Sequence, residues 1–111
     1  MRIIKDQISK KELTNMAKER FGDLVKAVVD IEQEIMAVGG EMHADEEAVL
    51  MEKEKSKREN TWGINIYPEK EESIEFDSVI NLKPSFGNRS RNVENQEIKN
   101  KIREIIDKLI R

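Results

Sequence analysis

The chain contains no cysteine, which removes disulfides, thiolate metal ligands and cysteine nucleophiles together. It has a single histidine, His43, so any imidazole-dependent chemistry must run through that side chain. Aromatic residues make up 5% of the chain, too few for stacking along a run of bases. A formal net charge of −3 gives no general attraction to nucleic acid or an anionic membrane. No apolar stretch approaches the roughly 20 residues that cross a bilayer. Met1-Arg2-Ile3-Ile4 turns polar too soon for a signal peptide, so a cytoplasmic protein without membrane contact is expected. No P-loop, dinucleotide fingerprint or Ser–His–Asp order is present.

What is present is densely patterned. Charged residues (39%) slightly outnumber hydrophobic ones (37%), so an economical core must sit under a charged surface. Plentiful Lys, Glu and Ile with no Cys also suits a heat-adapted host. A length of 111 residues fits one domain, expected over 1–111.

Ser9 and Glu12 have the spacing of a capping box, and Ile8 and Leu13 can staple it. Leu13, Met16, Ala17 and Phe21 then share a helical face, and Gly22 is a natural stop. From Leu24 to Ile31 the period changes to two, with Val25, Ala27, Val29 and Ile31 on one side and Lys26 and Asp30 on the other. Ile35 to Val38 returns as a second strand ending at Gly39-Gly40, though Gln33-Glu34 lacks the Asn-Gly type of turn. A helix is expected from Asp45 to about Lys57, because Asp45-Glu46-Glu47 suits a helix start. Strands are expected at Trp62–Tyr67 and Ile74–Leu82, and a helix at Gln96–Ile110 with Asn95 as its cap. The stripe Ile98, Ile102, Ile105, Ile106, Leu109 and Ile110 is the clearest periodic signal. The order helix–hairpin–helix–hairpin–helix predicts an α+β fold: an antiparallel four-stranded sheet with helices covering one face.

Three places offer chemistry. Glu41-x-His43-x-Asp45 puts a carboxylate, an imidazole and a carboxylate on one side if the strand continues past the glycines, a set that suits a divalent metal or acid–base work. The loop Pro84–Arg91 brings Asn88, Arg89, Ser90 and Arg91 ahead of a helix N-terminus, a setting that favours a phosphate or carboxylate. Asn65, Tyr67 and Asn81 lie on the sheet side opposite the expected core, where contact with water is the simplest reading and Tyr67 would suit a ligand. Lys99, Lys101 and Arg103 read as a solvated helix face.

Five blocks are familiar in combination: residues 21–30 (from Phe21-Gly22-Asp23), residues 36–45 (Met36 to Asp45), Trp62-Gly63-Ile64-Asn65, residues 74–81 (Ile74 to Asn81) and Gly87-Asn88-Arg89-Ser90-Arg91. Together they resemble a family of short prokaryotic proteins classed as a domain of unknown function, DUF5674. The resemblance runs over nearly the whole chain and implies a full domain. It also implies Gly at the position of Glu34 and Asp-Pro at Asn95-Gln96, which would suit a turn and a helix start. It implies no activity, cofactor or assigned site.

The reading these features support is a small domain that binds an anionic ligand or a partner, without a catalysed reaction. If the ligand is a small anion, Asn88, Arg89, Ser90 and Arg91 are the residues expected to hold it. The alternatives are a metal-dependent or acid–base enzyme on Glu41, His43 and Asp45, and a protein-interaction or self-associating module using the last helix or a strand edge.

Overall fold

The computed structural model describes residues 1–111. Its elements are β1 (Arg2–Ile4), α1 (Lys10–Arg20), β2 (Val25–Asp30), β3 (Ile35–Val38), α2 (His43–Glu54), β4 (Thr61–Ile66), β5 (Ile74–Glu75) and α3 (Gln96–Leu109). The strands form one five-stranded sheet in the order β1-β3-β2-β4-β5, antiparallel throughout. The α+β class stands as expected. The four-stranded sheet does not: β1, only three residues long, adds an edge strand beside β3.

The helix signals are realised. The Ser9 hydroxyl accepts the Glu12 N–H at 3.1 Å and the Glu12 carboxylate accepts the Ser9 N–H at 3.0 Å, closing the capping box. Asn95 caps α3 by accepting the Ile98 N–H at 3.1 Å.

Helices cover both faces of the sheet, not one. The larger core gathers Leu13 and Ala17 from α1 and Ile102, Ile105, Ile106 and Leu109 from α3 against Val25, Ala27, Val29, Met36, Val38, Ile64 and Ile66. The opposite face carries a smaller core of Val28, Ile35, Ala37, Leu50 and Ile80, with Leu50 supplied by α2. The central strands are therefore apolar on both sides, as sheets covered on both faces must be.

The second hairpin is shorter than its alternating pattern predicts. Only Ile74–Glu75 pairs with β4; Val79–Asn81 is a 3-10 turn. The Ser78 hydroxyl accepts the Ile80 N–H at 3.2 Å and takes that residue out of any ladder. Alternation misleads here because the chain crosses from one face to the other: Ile74 and Phe76 pack on the larger core and Ile80 on the smaller.

The turn between β2 and β3 is closed by Asp30, whose carboxylate accepts the N–H groups of Glu32 and Gln33 and the Ser56 hydroxyl. Glu34 leaves this turn with φ +59°, a conformation that glycine adopts without cost. Its carboxylate is held by Lys101 and Lys108 of α3, which anchors a residue the backbone alone disfavours.

Candidate functional site

The second face of the sheet is not covered along its whole length. α2 begins at His43 and lies over β2, β3 and β4. Beyond its start, one transverse row remains polar: Lys26 of β2 stands opposite Asn65 of β4, which stands opposite Glu75 of β5. Asn65 donates to the Glu75 carboxylate at 2.8 Å and the Tyr67 hydroxyl donates to the same oxygen at 3.2 Å. The carboxylate and its burial hold the Tyr67 hydroxyl above the usual phenol range, burial being the larger cause.

The row is bordered by His43. Its Nε2 lies 2.8 Å from the Ile64 carbonyl, an acceptor only, so this nitrogen carries a proton. Nδ1 makes no hydrogen bond and is not sealed inside the protein. Burial holds the imidazole below the usual histidine range; the Ile64 carbonyl opposes this, Lys26 and Arg91 push lower, and Asp77 pushes back. His43 is therefore a neutral imidazole at neutral pH with a free lone pair on Nδ1.

The close approach depends on Gly63. A Cβ there would lie 2.5 Å from both Cβ and Oγ of Ser78 and 3.2 Å from His43 Cδ2. We expect Gly63→Ala to cost about 2 kcal/mol by overpacking, read from urea unfolding. Replacing Ser78 by Gly in the same chain should restore part of it; additive losses would show that the two positions do not meet.

The Pro84–Arg91 loop is mainly internal architecture. Asn88 is buried; its amide donates to the carbonyls of Asn81, Ser90 and Asn92, and its carbonyl accepts the Glu94 N–H. The Lys83 ammonium is buried over the Trp62 ring, 4.8 Å from its centroid, and donates to the Ile80 carbonyl at 2.9 Å. Burial, aided by the Arg58 charge and opposed by Glu47, pushes it down to about 8. Phe86 of the loop, and Val79 and Leu82 just before it, turn outward. Arg91 pairs with Asp77 at 2.6 Å, and Arg89 is exposed with no carboxylate partner for its guanidinium. Of the four loop residues expected to hold an anion, only Arg91 faces the charge cluster around His43.

Glu41, His43 and Asp45 are not brought together. Glu41 is exposed and meets Arg20 at 3.8 Å, His43 turns inward, and Asp45 lies exposed in the first turn of α2. The strand stops at Val38 and a helix starts at His43, so a spacing of two no longer shares a face. No group of three His, Asp or Glu side chains is placed to hold a metal ion.

Asn65 and Asn81 are corrected outright: both are buried, not open to water. Asn81 accepts the Gly63 N–H at 2.8 Å and returns its own amide to the Gly63 carbonyl at 3.0 Å, standing in for the missing strand neighbour. Asn65 carries an orphan: its carbonyl oxygen is buried without a partner. Glu46, just inside α2, carries another. One of its oxygens accepts the Gly40 N–H at 2.9 Å, and the other is buried and unpaired.

The principal surface cavity, about 540 Å³, lies elsewhere, between the β2–β3 turn and residues 54–60. It has no hydrophobic lining residue, and its buried carboxylate, Asp30, is fully engaged in the turn. Three buried side-chain atoms lack a partner, Glu46 Oε1, Trp62 Nε1 and Asn65 Oδ1; the last stands in the Lys26–Asn65–Glu75 row and is the better guide to function.

Fold and geometry together define a small α+β domain with a polar row, Lys26–Asn65–Glu75, running across three strands of its sheet. Over residues 2–109 the chain matches the family model described as "Protein of unknown function (DUF5674)", and it belongs to that family. Comparison with curated proteins and with solved structures found no match. The blocks that carry the resemblance meet at this site: His43 and Gly63 touch, Gly63 and Asn81 exchange hydrogen bonds, and Asn81 accepts from Asn88.

Proposed function

We propose that the protein binds a small anionic ligand at the end of the sheet where Lys26, His43 and Arg91 face one another. The observation that carries this reading is Lys26, a cation on the sheet with no carboxylate partner. Its ammonium rests 5.0 Å from the Phe21 ring centroid, and its charge is felt at His43 and at Glu46. Arg91 adds a second cation, paired with Asp77 at 2.6 Å. α2 points its start into the same area, and its N-cap, Met42, supplies no side-chain hydrogen bond to the free N–H groups.

Because His43 is the only histidine, its imidazole proton gives one isolated NMR signal. Titration with inorganic phosphate, succinate and L-malate is expected to move that signal saturably with at least one of them. Bound phosphate or succinate, which brings charge without a donor, favours the imidazolium, so the His43 pKa should rise on binding either. Lys26→Ala and Arg91→Ala should each weaken the interaction by roughly tenfold, about 1.4 kcal/mol. A His43 signal that none of the three anions moves would overturn the reading.

A further inference from the structure

The same row holds hydrogen-bond acceptors that nothing in the protein serves. Two of them have orientations fixed by chemistry. His43 Nε2 faces a carbonyl, so its N–H is there and Nδ1 is an acceptor. The Asn65 NH₂ group faces the Glu75 carboxylate, so that end of the amide must donate and the other end is the oxygen. That oxygen is buried in a residue only 8% exposed and has no donor. A buried, unserved carbonyl costs about 1–3 kcal/mol, and such groups in folded proteins call for an explanation.

A simple anion does not supply one. Phosphate dianion or a dicarboxylate brings acceptors to a place already provided with acceptors. It would satisfy Lys26 and Arg91 and leave His43 Nδ1 and Asn65 Oδ1 as they are. A ligand carrying both a negative group and its own donor would satisfy both sets.

Resting on the anion-binding reading above, we infer that the ligand is a small carboxylate or phosphate that also bears a hydroxyl or ammonium group, the anionic end going to Lys26 and Arg91 and the donor to His43 Nδ1 and Asn65 Oδ1. Lys26 stands directly across the strand pair from Asn65. The side chain that must leave the Phe21 ring to meet the anion is thus the one beside the amide. Glu75, itself held by the Tyr67 hydroxyl, accepts from the Asn65 amide and fixes it with its oxygen turned away from the carboxylate.

The test compares matched probes on the unmodified protein, followed at the His43 signal. Succinate, L-malate and L-aspartate share two carboxylates and differ in a hydrogen, a hydroxyl or an ammonium at one carbon. L-malate or L-aspartate is expected to bind at least roughly tenfold tighter than succinate. Tighter malate assigns the donor as hydroxyl, and tighter aspartate assigns it as ammonium. Equal binding of all three, or binding of none while phosphate still moves the signal, leaves the anion site standing and overturns the donor inference; silence of all of them, phosphate included, overturns both. Asn65→Ala should erase the preference while leaving succinate binding in place. If that variant fails to fold, His43→Phe with tryptophan fluorescence as readout gives the second check, since it removes one acceptor and both cations remain. A preference undiminished in every folded variant overturns the assignment to these acceptors.

Discussion

Asn81→Ala is expected to cost about 3–5 kcal/mol, the largest loss of any single substitution on the second face of the sheet. Asn81 is completely buried, and its side chain makes three hydrogen bonds, all to backbone: from the Gly63 N–H, to the Gly63 carbonyl and to the Arg91 carbonyl at 2.9 Å. It does for β4 what a neighbouring strand would do after β5 ends. Alanine strands three polar backbone groups, each carrying a penalty of about 1–3 kcal/mol that is only partly additive. Asn81→Asp is the sharper probe. The carboxylate still accepts from Gly63 but turns an oxygen toward two carbonyls, so at neutral pH it should be worse than alanine. Because burial and repulsion raise that carboxyl's pKa, the folded form holds its proton more tightly, and part of the stability should return as pH falls. Urea unfolding at pH 7 and pH 5 reads both effects, and faster hydrogen exchange at the Gly63 amide localises them. An alanine variant within about 1 kcal/mol of the parent would show that the edge is held by something else.

The residues that carry this effect show what sequence patterns convey and what they hide. Capping chemistry is local, so Ser9–Glu12 and Asn95 announce their helices within four residues, and the realised caps match. The isoleucine stripe of α3 is equally legible because one periodic face meets one core. Strand patterns are weaker, since alternation reports burial on one side and is blind to the other. Val28 and Ala37 break the expected in–out order because α2 covers them, and the apolar runs Ala27-Val28-Val29 in β2 and Ile35–Val38 in β3 were the available signal. At Ile74–Leu82 the alternation is real, but it follows a chain rounding the sheet edge.

Asparagine in a strand was the best pointer to the site. Its low strand propensity singled out Asn65 and Asn81, yet only the fold shows that both are buried and that one is left unsatisfied. Lys26 and Glu75 gave no sign at all. They become a site with Asn65 only when three strands bring residues 26, 65 and 75 into one row.

Glu46 was hidden for a different reason: in sequence it is one more acidic residue at a helix start. In the fold it is fully buried, with the Gly40 N–H on one oxygen and nothing on the other. Burial pushes its carboxyl up from 4.5 to about 9; the Gly40 hydrogen bond, Lys26 and the N-terminus oppose this, and Asp45 adds to it. The folded chain therefore holds this proton more tightly than the unfolded one. Stability from the neutral carboxyl is complete below about 4.5 and is lost as pH rises toward about 9. Glu46→Gln keeps an acceptor for Gly40 and cannot ionise, so it should abolish this loss. Relative to its value near pH 4.5, the variant's advantage over the parent should grow by about 1.4 kcal/mol per pH unit, reaching roughly 3 kcal/mol by pH 7. Unfolding free energies for both proteins between pH 5 and 8.5 give the two slopes directly. Parallel curves would mean that Glu46 is ionised in the folded state, with the ion served by Lys26. In that case Lys26 would already be engaged, and the unpaired cation that underlies the anion site would not exist.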